Sequence, residues 1–96
     1  MNLDLHPEAL AESKEAASFY GARSSSISRA FTEELEYALF EILQHPEAHP
    51  EYLHGTRRLV LRRFPFSVVY SIEQNSVLLV ALAHMSRRPG YWRKRL

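Results

Sequence analysis

Three histidines and two runs of arginine are the side chains of this chain best equipped for chemistry. His45 and His49 stand four apart, the separation that places two imidazoles on one face of a zinc-binding helix. The stretch between them reads His-Pro-Glu-Ala-His, however, with the glutamate displaced and with Pro46 and Pro50 opposing a helix across the pair. No metal or cofactor is therefore expected, and His45, His49 and His54 are read as solvated loop residues. Arg57, Arg58, Arg62 and Arg63 flank Leu59 and Leu61, whereas Arg87, Arg88, Arg93, Lys94 and Arg95 form a second run with no acid among them. A guanidinium holds phosphate or carboxylate in a two-pronged contact. His84 stands just before the second run and can move protons near neutral pH. Tyr91 and Trp92 interrupt that run with rings that can stack on bases. Arg58 and Arg62 on phosphate with His84 or Tyr91 in proton transfer would be a set able to cut RNA. The plain structural readings stand beside it: a hydrogen-bonded histidine at a strand end, and two rings covering a sheet.

The distribution of charge narrows the choice of partner. Residues 1–52 carry three Lys/Arg against ten Asp/Glu, a balance of −7, and residues 53–96 carry nine against Glu73 alone, a balance of +8. The formal total of +1 hides this separation. A basic half of this kind concentrates an acidic partner, provided that its two clusters fold onto one surface. The chain has no cysteine, which excludes disulfides, thiol catalysis and thiolate metal sites. Ninety-six residues suit one domain over 1–96 with a single core. No apolar run approaches the roughly 18 residues that span a bilayer. Residues 1–6 lack the basic head and apolar stretch of an export signal, so the cytoplasm is the expected compartment.

The elements that must position these groups follow from periodicity. Leu3 and Leu5 alternate with Asn2 and Asp4, which predicts a short strand ending at Pro7. Pro7 opens a helix to about Tyr20, with Glu8 and Glu12 complementing its dipole and Gly21 as a left-handed stop. The serines at 24–26 can cap a second helix over about Ser26–Gln44. Its residues Ile27, Ala30, Phe31, Leu35, Ala38 and Ile42 form one arc that should pack on a sheet. Phe40 lies nearly opposite, with Leu43 between the two faces. Phe40 either packs under the following loop or offers a partner an apolar spot. His45–Gly55 is a loop.

From Thr56 the period becomes two: one strand on Leu59 and Leu61, another on Phe66, Val68, Tyr70 and Ile72, and a turn at 73–76 where Asn75 can be left-handed. The run from Val77 to Ala83 is apolar on both faces, as for a central strand covered by helices on one side and by residues 85–96 on the other. The prediction is an α+β domain, β-α-α-β-β-β, with a three-stranded antiparallel meander under a helical hairpin. On it, Arg58 and Arg62 should form a stripe on the open face and share one groove with the second basic cluster.

The stretch Arg57-Arg58-Leu59 to Phe64-Pro65-Phe66, then Val68-Val69-Tyr70, the turn, Val77–Ala83 with His84, and the ending Arg87-Arg88-Pro89-Gly90-Tyr91-Trp92 resemble the ParE branch of the RelE/ParE toxin superfamily. The resemblance covers essentially the whole chain. It implies the toxin of a two-gene type II toxin–antitoxin module, associated with plasmid stabilisation and held inactive by an antitoxin that wraps it in a hetero-oligomer. ParE-like toxins are thought to block DNA gyrase; RelE-like relatives cleave ribosome-bound messenger RNA. The nuclease branch commonly keeps an arginine three residues before the tyrosine matched by Tyr70, and Ser67 stands there, which weakens the nuclease alternative. A copy that only binds and has lost activity is a further alternative. On this reading the target is met by Arg58, Arg62, Arg87, Arg88, Trp92, Arg93 and Arg95. An acidic, partly disordered antitoxin segment is met by Phe40, Leu43, Arg58 and Arg62, and His84 and Tyr91 are catalytic only in a nuclease.

Overall fold

Pro7 and Ser24 set where the two helices begin in the structure, a computed structural model describing residues 1–96. Strand β1 (Asn2–Leu5) leads to α1 (Pro7–Gly21), in which Pro7 occupies the first helical position and the His6 ring accepts from the Glu8 N–H at 3.1 Å. Gly21 is not a left-handed stop. It belongs to the last turn, and right-handed Ala22 closes the helix. Helix α2 (Ser25–Gln44) is capped by Ser24, whose hydroxyl accepts from the Ile27 N–H. Its buried face is Phe31, Leu35, Ala38 and Ile42, as the arc predicts. Ile27 leaves that arc and is 43% exposed, because the contact with α1 in the first turn is made by Ser28, which donates to the Ala17 carbonyl at 2.9 Å. Phe40 is 60% exposed, so it does not pack beneath the loop that follows.

The chain returns as β2 (Arg57–Val60), β3 (Phe66–Ile72) and β4 (Ser76–His84), giving one sheet in the order β1-β4-β3-β2. The β2–β3 and β3–β4 pairs are antiparallel, whereas β1 lies parallel to β4, with the helical hairpin carrying the chain across. Strand β2 is shorter than alternation predicts. Leu61 still donates to the Phe66 carbonyl, but the backbone N–H groups of Arg62 and Arg63 turn to the Glu34 carboxylate and end the strand. The β3–β4 turn closes through Glu73 N–H to Ser76 O without a left-handed Asn75.

A register shift opposite Val69 and Tyr70 puts one extra residue, Val80, into β4. This β-bulge explains the two-faced apolar run. Before it, Val77 and Leu79 face the helices; after it, Leu82 does, while Val80 and Ala81 both face the other side. The helix side holds the main core with Phe31, Ile42, Phe66, Val68 and Tyr70. The other side is covered by residues 85–96, whose Trp92 lies on Val69, Val80 and Ala81 and is 1% exposed.

Candidate functional site: a basic groove beside a covered sheet face

Arg58 of β2 projects to the side of the sheet where Trp92 lies, and its guanidinium stacks over the Tyr52 ring with 4.1 Å to the centroid. Arg87 and Arg88 arrive from the turn after β4, where Arg87 lies over the Tyr91 ring at 3.8 Å. These three arginines border one groove of about 220 Å³, floored by Val60, Ser67, Val69 and Ala83. No aspartate or glutamate lines it. Stacking on Tyr52 and Tyr91 restrains both guanidinium planes while leaving N–H groups for a ligand. Arg93 and Lys94 are exposed on the short 3₁₀ turn that follows Trp92.

His84, Tyr91 and Trp92 also line this groove, and the other candidates lie elsewhere. Arg62 sits beyond the end of β2 in a separate cleft with Glu33, Glu34, Tyr37 and Glu41, so the predicted Arg58–Arg62 stripe does not form. Arg63 is 3.4 Å from the Glu34 carboxylate, and Arg57 donates to the carbonyls of Glu47 and His49, fastening the His45–Gly55 loop. Trp92, expected to meet the target, borders the groove but is enclosed in the second core, with almost no free surface. Arg95, expected there too, is turned inward: Nη1 and Nη2 lie 2.9 and 3.0 Å from the Glu12 carboxylate oxygens. For Phe40 and Leu43, the former is open on α2 and the latter is partly buried against the main core.

His84 and Tyr91 line the same two cavities, each with hydrogen-bond partners of its own. The Ser86 N–H donates to His84 Nδ1 at 3.0 Å, which puts the proton of the neutral ring on Nε2. After the bulge, His84 shares the helix side with Phe66, whose ring it meets edge-on at 5.0 Å. It lines a cleft of about 290 Å³ with Glu15, Phe19 and Arg87. Tyr91 donates to Glu12 Oε2 at 2.6 Å. Burial, that hydrogen bond and the Glu12 charge push the phenol far above the ordinary tyrosine range, against the weaker opposing pull of Arg95 and Arg87. A phenol so held is poor at moving protons near neutrality. Among the histidines, His49 is partly buried with an unpartnered Nε2, and His54 adopts a left-handed conformation (φ 57°) with its ring edge-on to Trp92. No three His, Asp or Glu side chains come together to hold a metal ion.

Sequence reasoning missed Glu12, Tyr52 and Glu34. Glu12 carried a signal: with Ala9 and Ala16 it falls on the buried stripe of α1 at spacings of three and four, where a carboxylate needs a partner. Glu34 carried none, because it is defined by a neighbour 28 residues away, and Tyr52 none, because only the bridge between Glu51 and Arg57 brings its ring under Arg58.

A four-stranded sheet with a helical hairpin on one side and an acid-free arginine groove on the other defines a small α+β domain. The sequence matches the family model described as "ParE toxin of type II toxin-antitoxin system, parDE" over residues 3–89, and the chain belongs to this family. Its fold is similar to a chain described as "Chromosomal ParDE TA system from P. aeruginosa", with a TM-score of 0.76 at 16% identity, covering 90% of this chain and 97% of that one. No curated protein sequence matches. No helix is long and apolar enough to cross a membrane.

Proposed function

We propose that the protein acts in a type II toxin–antitoxin module by binding and inhibiting DNA gyrase, and that a cognate antitoxin neutralises it. The observation that carries this reading is the meeting of Arg58, Arg87 and Arg88 around a groove with no carboxylate in its walls. Such a surface takes an acidic protein segment by charge-assisted hydrogen bonds. Tyr91 held as a donor to Glu12, together with Ser67 in the groove floor, supports inhibition by binding over RNA cleavage. The antitoxin is an acidic segment that folds on the toxin, its apolar side chains on Phe40 and the rim of Leu43 and its carboxylates on Arg58 and Arg62.

The purified protein is expected to inhibit gyrase supercoiling, and Arg58→Glu together with Arg88→Glu to remove the inhibition while the fold is retained. Arrest of translation with cleavage of ribosome-bound message, dependent on His84 and without effect on gyrase, would show the RelE-like activity instead. Growth unaffected by expression without antitoxin would indicate a chain that binds but has lost toxicity.

A further inference from the structure

Strand β1 ends opposite Leu79, where the His6 N–H donates to the Leu79 carbonyl at 3.0 Å. Beyond that point β4 runs on without a backbone neighbour on this edge, and the bulge leaves the Val80 carbonyl and the Leu82 N–H pointing outward. Two side chains take the place of a strand. Glu12 Oε1 accepts from the Leu82 N–H at 3.1 Å, and Arg95 Nη1 donates to the Val80 carbonyl at 3.1 Å. The same Nη1 donates to Glu12 Oε1, Nη2 donates to Oε2, and the Tyr91 hydroxyl donates to Oε2. One carboxylate thus receives four hydrogen bonds from three residues in two parts of the chain, β4 and residues 91–95, which fills its acceptor capacity. The Glu12 and Arg95 side chains are only 16% and 10% exposed. Glu8 adds a longer contact to Arg95 at 3.8 Å.

We propose that Glu12 is a positioning residue: its carboxylate closes the open edge of β4 and seats residues 91–96 on the sheet, and the placement of Arg87 and Arg88 beside Arg58 depends on it. Removing the charge leaves the enclosed Arg95 guanidinium with only the longer contact to the exposed Glu8 and the neutral Val80 carbonyl, a state whose desolvation cost favours departure of the segment into water. Gln in place of Glu12 also presents an NH₂ group to donors that already point there. The helices and the β2–β3–β4 ladder make no use of this carboxylate beyond the Leu82 N–H, so release need not unfold them. The residues involved at 91–95 lie past the span matched by the family model, which ends at Pro89. The link to Arg87 and Arg88 rests on the proposed function, whereas the seating of the segment does not.

Trp92 is the one tryptophan and therefore reports on its own segment. In Glu12→Gln, its emission is expected to shift to the red and its quenching by acrylamide to rise several-fold. Amide exchange should accelerate at least tenfold at Leu82 while the amides of β3 keep their protection. Arg95→Gln should do the same to Leu82 less strongly, since Tyr91 still holds Glu12. Inhibition of gyrase should fall about tenfold in Glu12→Gln, with antitoxin affinity unchanged. Trp92 as shielded as in the parent protein, or loss of protection spread evenly over β3 and β4, would overturn the proposal. A parent protein that leaves gyrase untouched removes the proposed function, while the Trp92 and Leu82 measurements still decide the role of Glu12.

Discussion

Replacing Trp92 by alanine tests whether this ring is a wall of the protein or a contact for its target. The side chain is buried against Val69, Val80 and Ala81, with Tyr52 and His54 at its edges at ring-centroid distances of 6.1 and 5.9 Å. A buried aromatic of this size removes about 150–250 Å² from water, which at ~25 cal/mol per Å² corresponds to roughly 4–6 kcal/mol as an upper bound. Truncations of this kind cost about 3–5 kcal/mol in practice. A domain of this length has on the order of 5–14 kcal/mol of total stability, so Trp92→Ala should consume a large share of it. Urea denaturation followed by far-UV circular dichroism measures the loss without needing the missing fluorophore. The midpoint is expected to fall by that energy divided by the urea slope. A loss within about 0.5 kcal/mol, the range of ordinary surface positions, would refute the buried placement and return Trp92 to the target-binding surface.

Three further outcomes are expected. Phe40→Ala should change stability by no more than about 0.5 kcal/mol, because the ring is exposed, yet weaken antitoxin binding at least several-fold by calorimetry. Gly90→Ala should destabilise by roughly 1–2 kcal/mol in urea, because Gly90 has φ +81° and a Cβ there would lie 3.4 Å from His54 Nε2. Tyr91, Tyr20 and Tyr70 all have phenols raised above the usual value, chiefly by burial. The folded state therefore keeps these protons where the unfolded chain begins to lose them. Their contribution is complete below about pH 10 and is lost as the pH rises above it; denaturation melts across that window should show the decline, and Tyr91→Phe should reduce it.

Much of the architecture was legible because it is written in local periodicity. Pro7, the serines before α2 and the prolines of the 45–55 loop mark boundaries by their own backbone chemistry. The doubly apolar Val77–Ala83 run announces a central strand, and the covering of its second face by residues 85–96 followed from that. What stayed hidden depends on contacts between segments far apart in the chain. The end of β2 is set by Glu34, about 28 residues away along α2, so alternation carried Arg62 onto the wrong surface. Arg95 looked like a free member of a basic run because nothing near it in sequence reveals Glu12 or the open edge of β4, whereas for Trp92 the sequence left covering of the sheet and contact with the target both open. Of the arginine groove, Arg58, Arg87 and Arg88 were found from charge and strand order alone; the stacking partner Tyr52 was not.

The extra residue at Val80 also acts as a phase change between the two ends of β4. Deleting it would restore strict alternation with Phe66 and His84 still opposite each other, and would remove one of the three side chains on which Trp92 rests. The inward packing of Val77 and Leu79 thus lies before the bulge, whereas the residues that shape the groove and cover the second face follow it.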